Sequence, residues 1–494
     1  MSEGSHSDSV EHTAPTWGLL IDGEITPAAS GEVLERLSPA TGQVVGRFAR
    51  GGADDVDLAV MAARRAFDEG PWRRWGGADR AQVLHRLAER LRHKSDHYAR
   101  LESQHVGIPY GQVGWLAEYC AGVVDFYAGA ARMTFGRAIP TAATGIGITL
   151  QEPVGVVAAI TPWNFPLVLT IWKVAAALAA GCTMVVKPAS QAPATILELA
   201  RDLLHSGLPP GVCNVVTGPG TVVGDALVGH PQVDKVAFTG STATGRRVME
   251  RAAGTLKRVA LELGGKSPLI VMPDADPGTA SDAALECFFN SGQQCNVPSR
   301  LLVADSVAIE VVAAILEKAE GKRLGPDDEA DLGPLVDERQ FETVESFVEL
   351  ARRQGNRILT GGDRRRPGGF DGPYYPPTVI DEVEPTSPLV TEEIFGPVLV
   401  VQRFGDLDEA IALANGGDFG LAGGIFTADL DAALAVSARL RVGTVWVNTW
   451  NRTYPELPTG GFKRSGIGRE LGLEGLSAYL ETKTVQLNPH RGRG

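Results

Sequence analysis

The stretch GVVAAITPWNFPLVLTIWKVAAALAAGCTMVVK, residues 155–187, reads as strand, helix, strand. Gly155–Thr161 and Cys182–Lys187 are short, continuous apolar runs, the pattern of strands buried on both faces. Pro166–Ala180 is too long for a strand and opens on a proline, as helices do. The alternation continues with a helix over Thr195–His205 and strands over Val212–Thr217 and Lys235–Thr239, each strand followed by a glycine and a helix-like run. This predicts an α/β fold of the Rossmann type: a parallel sheet covered by helices on both faces, with ligands at the carboxyl ends of the strands.

Downstream, a second apolar series runs through Ser267–Val271, Arg300–Ala304, Val398–Phe404, Gly423–Phe426 and Gly443–Asn448. It predicts a second α/β domain with Cys295 near its beginning. Upstream, Leu19-Leu20-Ile21 followed by Asp22-Gly23 signals a hairpin. Val83, Leu84, Leu87, Leu91 and Tyr98 recur at helical spacing and predict one long amphipathic segment. Met133–Glu152 alternates Thr, Ile and Gly and reads as an extended, protruding arm; the closing strand Lys483–Leu487 is expected to pair with the arm of a neighbouring subunit. Residues 1–15 are polar and aperiodic, the pattern of a disordered tail.

A chain of 494 residues exceeds one ordinary core and predicts two or three domains. Its 46 basic and 59 acidic residues give a net charge of −13, which disfavours nucleic acid as a partner while leaving room for an anionic cofactor at one locally positive site. The five cysteines are scattered and never spaced Cys-x-x-Cys, so neither a disulfide framework nor a metal site is expected. Free thiols and the lack of an apolar signal core point to a cytoplasmic protein. The longest apolar run, Pro166–Gly181, is too short to span a membrane and carries Lys173 inside it.

Two stretches carry the chemistry. Asn290-Ser291-Gly292-Gln293-Gln294-Cys295 places a cysteine just past a turn, and Glu262-Leu263-Gly264-Gly265-Lys266 places a carboxylate before a glycine turn that opens a strand. A thiolate adds to carbonyl carbon, and a carboxylate activates the water that later releases the acyl group. An isolated buried cysteine is usually a small hydrophobe, so the case rests on the pair together with its neighbours. Asn164, held between Pro162 and Pro166, is either a turn-capping residue or a fixed donor to a developing oxyanion. Phe238-Thr239-Gly240-Ser241 ends a strand and opens a helix, a plain turn or a pyrophosphate cradle. Lys187 is either a solvated loop lysine or a ribose ligand. Nine histidines raise a Cys/His hydrolase, but none of His85, His93, His97, His105, His205 and His230 stands in a catalytic context.

Taken together, Pro162-Trp163-Asn164-Phe165-Pro166, Lys187-Pro188, Phe238-Thr239-Gly240-Ser241, Glu262-Leu263-Gly264-Gly265-Lys266, Gly292-Gln293-Gln294-Cys295 and Glu393-Ile394-Phe395-Gly396-Pro397 resemble, in order, the NAD(P)-dependent aldehyde dehydrogenase superfamily, as does Gly460–Glu470. The resemblance implies oxidation of a small-molecule aldehyde to a carboxylic acid with NAD or NADP. It makes Cys295 the nucleophile, Glu262 the general base and Asn164 an oxyanion donor beside the Cys295 N–H, with Lys173 and Glu470 in proton relay or in orienting the base. For the cofactor it implies Thr161, Trp163, Lys187, Ser190, Gly220, Gly240, Ser241, Glu393 and Phe395. For the substrate pocket it implies Phe165, Leu169, Trp172, Gln294, Asn296, Trp450 and Tyr454. It further implies a cofactor-binding domain over 16–131 and 153–262, a catalytic domain over 263–478, and a β arm over 132–152 and 479–494 that builds a homo-oligomer, a dimer or tetramer.

Two departures bear on specificity. Ser190 stands where many NAD-preferring relatives carry a glutamate, and Thr459 stands where an aromatic residue is frequent. Aromatic pocket residues suit an apolar or aromatic aldehyde and, through cation–π attraction, a quaternary ammonium group. The competing readings are a CoA-acylating semialdehyde dehydrogenase, against which Glu262 argues, and a catalytically silent binding protein on the same fold.

Overall fold

The computed structural model describes residues 14–141 and 145–487, so all but the last two residues of the expected tail and the end of the chain after Leu487 lie outside it. Five parallel strands, β1 (Val156–Ile160), β2 (Thr183–Lys187), β3 (Cys213–Val215), β4 (Lys235–Thr239) and β5 (Arg258–Glu262), lie side by side in the order β5-β4-β1-β2-β3. The chain runs one way from β1 through β2 to β3 and the other way through β4 to β5. The crevice between the ends of β1 and β4 is therefore a topological switch point, where open α/β sheets bind ligands. Every residue of β1 and β2 is buried, which is why their sequences are apolar without alternation.

The helix after β1, α1 (Pro166–Ala180), starts on proline and stops at Gly181, whose φ of 94° is left-handed. Among its residues Lys173 is fully buried, an unusual place for a cation. Further helices are α2 (Ala194–His205) and α3 (Thr242–Ala253). The Leu19–Ile21/Glu24–Thr26 hairpin forms as expected and adds antiparallel to β3. At the opposite edge the short strand Gly466–Ile467 pairs antiparallel with β5, so a segment from near the chain end closes the first sheet.

The second sheet holds β6 (Pro268–Val271), β7 (Arg300–Ala304), β8 (Thr378–Asp381), β9 (Val398–Phe404), β10 (Ala422–Phe426) and β11 (Thr444–Val447) in the order β8-β9-β7-β6-β10-β11, all parallel. An antiparallel strand, Arg357–Thr360, lies outside β8. Only Leu263–Ser267 separates the end of β5 from the start of β6, so Glu262 stands where one sheet hands over to the next.

Two expectations need correction. The long amphipathic segment is two helices, Gly77–His93 and Ser95–Val106, broken at Lys94, and Tyr98 lies on the second. The closing strand, Leu480–Leu487, pairs antiparallel with Ile146–Pro153 of its own chain over eight residues, rather than with a neighbour's arm. The register is fixed just before it, where buried Tyr479 receives Val154 N at its carbonyl.

Candidate active site

Cys295 follows a contorted loop. Asn290, Ser291 and Gly292 have φ of 48°, 53° and 73°, three left-handed residues in succession. A Cβ on Gly292 would meet Gly396 O at 2.1 Å, so only glycine fits there. Buried Gln293 ties the loop down: its Nε2 donates to Asn290 O at 3.0 Å and its Oε1 accepts from Val336 N at 2.8 Å. Asn164, 4 % exposed, donates from Nδ2 to Gln293 O at 3.0 Å, and Asn290 Nδ2 donates to Asn164 O at 3.2 Å. The amide and the thiol thus belong to one hydrogen-bonded unit, although 131 residues (295 − 164) separate them.

A second support comes from Glu102 on the helix Ser95–Val106, fully buried, whose Oε1 accepts from Leu167 N at 2.9 Å. Leu167 is the second residue of α1, and its N–H has no partner within its own helix. Glu102 therefore caps, from inside the core, the helix that begins two residues after Asn164.

Glu262 ends β5 and lines the same cavities as Cys295. Burial first, then the Glu393 and Glu262 carboxylates, push the Cys295 thiol up to about 12. Burial, with Glu470 nearby, likewise holds Glu262 well above the usual carboxylate range, against the pull of Lys173 and Arg469. Lys173 Nζ pairs with Glu470 Oε1 and donates to Thr239 Oγ1 at 2.6 Å. The two relay candidates, Lys173 and Glu470, are therefore a buried ion pair near Glu262.

One cavity, of about 270 Å³, opens at the switch point and is lined by Trp163, Asn164, Gly240, Ser241, Glu262, Cys295, Glu393 and Phe395 among others. Ser241 caps α3, its Oγ accepting from Thr244 N at 3.3 Å, so the helix N-terminus with its unpaired N–H groups borders the cavity. Glu393 accepts from Gly265 N at 3.0 Å, and a Cβ on Gly264 would meet Glu393 Oε2 at 2.1 Å. A Cβ on Gly265 would meet the Cys295 backbone O at 2.3 Å, so glycine is required there, while Gly264 leaves room for the Glu393 carboxylate. Burial lifts Glu393 to about 7, against the Gly265 N–H and Lys266. Trp163 and Phe395 meet edge to face at 5.4 Å.

Four other predicted cofactor residues, Thr161, Lys187, Ser190 and Gly220, lie outside that lining, around the carboxyl ends of β1, β2 and β3. Thr161 N donates to Lys187 O at 3.1 Å, and Thr161 Oγ1 is buried without a partner among the described residues. Lys187 Nζ donates to Pro188 O at 2.8 Å, with burial lowering it to about 8. Exposed Ser190 donates from Oγ to Gly218 O at 3.1 Å. These residues suit a dinucleotide: an orphaned hydroxyl and a buried amine on one side of the switch point, a helix N-terminus and a half-buried carboxylate acceptor on the other.

All seven predicted pocket residues (Phe165, Leu169, Trp172, Gln294, Asn296, Trp450 and Tyr454) line a second cavity of about 540 Å³ that reaches Cys295. Phe165 stacks on Phe289 at 6.0 Å, and Trp450 Nε1 donates to Asn296 O at 3.2 Å. Sequence reasoning missed Trp115, Tyr119, Glu286, Phe289 and Arg452 in that wall. The four-residue spacing of Trp115 and Tyr119 was a usable sign; nothing local marked Gln340 and Thr343 of the cofactor-side cavity, which come from the helix Glu338–Gln354.

Residues 25–485 match the model of the Aldehyde dehydrogenase family. The chain belongs to the aldehyde dehydrogenase family. Among curated relatives it is 42 % identical to aldehyde dehydrogenase family 2 member C4 of Arabidopsis thaliana, over 96 % of this chain and 95 % of that protein. It is 41 % identical to human retinaldehyde dehydrogenase 3, covering 95 % and 92 %. The crystal structure of an NAD-dependent aldehyde dehydrogenase from Sinorhizobium meliloti superposes with a TM-score of 0.94 at 40 % identity, covering 97 % of this chain and 96 % of that one. A betaine aldehyde dehydrogenase from Staphylococcus aureus, solved in complex with NAD+, superposes with a TM-score of 0.94 at 36 % identity, each chain covered to 96 %. No helix among the described residues of this family member is long and apolar enough to cross a membrane.

Proposed function

We propose that this aldehyde dehydrogenase oxidises an aldehyde to its carboxylic acid with NAD or NADP, through an acyl thioester on Cys295. The observation that carries the reading is that Cys295, Glu262 and Asn164 border one cavity at the switch point. Bound there, the dinucleotide supplies the hydride acceptor; Ser241 and Trp163 would hold its pyrophosphate, Lys187 and Glu393 its riboses, and Phe395 its nicotinamide face. Ser190 offers no carboxylate to repel a 2′-phosphate, so both dinucleotides are compatible with this site.

Cys295 Sγ adds to the carbonyl carbon as its proton passes to solvent water, and the carbonyl oxygen takes the electron pair. Asn164 Nδ2 and the Cys295 N–H hold that oxyanion, one such donor lowering the barrier by about 2.7–4 kcal/mol. Oxidation of the adduct leaves an acyl group on sulfur. Glu262 then takes a proton from water, the hydroxide oxygen adds to the thioester carbon, and the C–S bond breaks to free the acid. The raised basicity of Glu262 suits it to accept that proton, and the Lys173–Glu470 pair lies next to it to pass the proton on. A CoA-acylating role fits less well, because Glu262 occupies the place from which water is activated.

The same reading assigns 16–131 and 153–262 to cofactor binding and 263–478 to catalysis, supported by the two separate parallel sheets. It assigns the three-stranded arm to self-association, as a dimer or tetramer; exposed Met133, Phe135, Ile139, Ile146 and Leu150 support this. A reducing cytoplasm suits the free nucleophile. The test is Cys295→Ala: dinucleotide reduction in the presence of aldehydes is lost while dinucleotide binding, followed by fluorescence titration, survives. Retained turnover sinks the assignment.

A further inference from the structure

Cys295 stands at the junction of two chambers, not at the end of one. The first is the 540 Å³ tunnel walled by Trp115, Tyr119, Phe165, Phe289 and Trp450. The second, of about 370 Å³, leads away past Leu421, Val445, Trp446, Leu457, Pro458 and Thr459. The two share Leu169, Trp172, Cys295, Asn296, Arg452, Thr453 and Tyr454, so they are continuous around the nucleophile. The second chamber also shares Leu169, Thr239, Glu262, Leu263 and Cys295 with the cofactor-side cavity, so Glu262 borders it, but it does not reach Ser241, Glu393 or Phe395.

The geometry of an aldehyde makes this arrangement informative. Its carbonyl carbon bears one oxygen, one hydrogen and one carbon substituent. The oxygen is directed to Asn164 and the hydrogen to the cofactor side, which leaves one direction for the substituent. An unbranched substituent fills one chamber and leaves the other wet. A carbon that branches next to the carbonyl sends one branch into each. Both chambers have mostly apolar walls, and burying each added branch methylene contributes favourably.

Resting on the function proposed above, we infer that the preferred substrates are aldehydes branched at the carbon next to the carbonyl, with apolar branches, and that Thr459 is the residue that keeps the second chamber open. Thr459 sits on the chamber wall with its backbone fixed by reciprocal hydrogen bonds to Glu470, N to O at 2.8 and 2.9 Å. It is followed by Gly460, whose φ is 154° and whose added Cβ would meet Glu262 Oε1 at 2.8 Å. The backbone is held beside Glu262 and Thr459 lines the chamber, so a larger side chain at 459 is expected to narrow it.

The experiment compares 2-phenylpropanal with phenylacetaldehyde, and 2-ethylhexanal with hexanal, on the full-length enzyme, its Thr459→Leu variant and its Thr459→Phe variant. The reading is the ratio of kcat/KM, branched over linear, in each pair. In the wild type that ratio is expected at or above one. It is expected to fall about tenfold in Thr459→Leu and further in Thr459→Phe, the loss following side-chain volume. Dissociation constants of the same aldehydes for Cys295→Ala and Cys295→Ala/Thr459→Phe proteins, which form no covalent adduct, should move in parallel. If linear aldehydes are oxidised and the branched partners have the lower kcat/KM in the wild type, the inference fails and the proposed function stands. An unchanged ratio in both variants also overturns it. If no aldehyde of the set reduces either dinucleotide, the function itself fails and the inference with it.

Discussion

Replacing Asn164 by alanine separates a catalytic donor from a structural one. In the resting protein its Nδ2 makes one neutral hydrogen bond, to Gln293 O at 3.0 Å. Truncation does not orphan that carbonyl, because Asn290 Nδ2 also reaches it at 3.4 Å. The expected stability loss is therefore close to that of a single hydrogen bond, about 1 kcal/mol. The kinetic loss is set by the oxyanion, which loses one of two donors in a water-poor site, about 2.7–4 kcal/mol. That corresponds to roughly 100- to 1000-fold in the step forming the adduct. The assay is a single-turnover burst of reduced dinucleotide under saturating aldehyde, beside urea unfolding of the same samples. A folded Asn164→Ala protein whose burst slows by less than tenfold would show that Asn164 is only a loop staple and refute the reasoning.

Glu262→Gln is expected to give one burst of reduced dinucleotide and then stall, with the acyl group detectable on the Cys295 peptide by mass spectrometry; undiminished steady acid release contradicts the base assignment. In the wild type the steady rate should climb with pH as Glu262 loses its proton, at a pH above the ordinary carboxylate range. Lys173→Met leaves Glu470 charged, buried and unpaired, a loss of about 3–5 kcal/mol that a Lys173→Met/Glu470→Leu double variant should partly restore; equal unfolding midpoints for single variant and wild type count against a buried pair. Glu102 holds its proton to about 8 in the folded protein, against 4.5 in its ordinary state, because of burial. Between those values folding takes up a proton, so this group makes stability fall with rising pH, by about 1.4 kcal/mol per unit. Glu102→Gln does not titrate and should gain on the wild type across that window; parallel stability–pH curves speak against it.

Much of this was written locally. Pro166–Ala180 and Lys235–Thr239 form as read, because a proline start and a short run with Val236, Phe238 and Thr239 are local decisions. The pair Gly264-Gly265 was legible as a turn, but its reason was not: the glycines make room for Glu393 and the Cys295 carbonyl, which come from elsewhere in the chain. The break at Lys94 was not visible either, since Leu91 and Tyr98 still fit one helical face on both sides of it. Nor was the chain-internal pairing of Leu480–Leu487, because a strand's sequence states that it pairs, not with which copy.

By itself the sequence determined the alternation of buried strands and helices, the cysteine, the carboxylate and the amide, and the order in which they occur, all consequences of side-chain polarity and local backbone preference. Only the tertiary structure decided that Asn164 and Cys295 share one hydrogen-bonded loop, that Glu102 caps the helix behind them, and that two chambers meet at the sulfur. Those facts depend on contacts between segments tens to hundreds of residues apart. Such contacts exist only once apolar burial has drawn the two sheets together around the Leu263–Ser267 link.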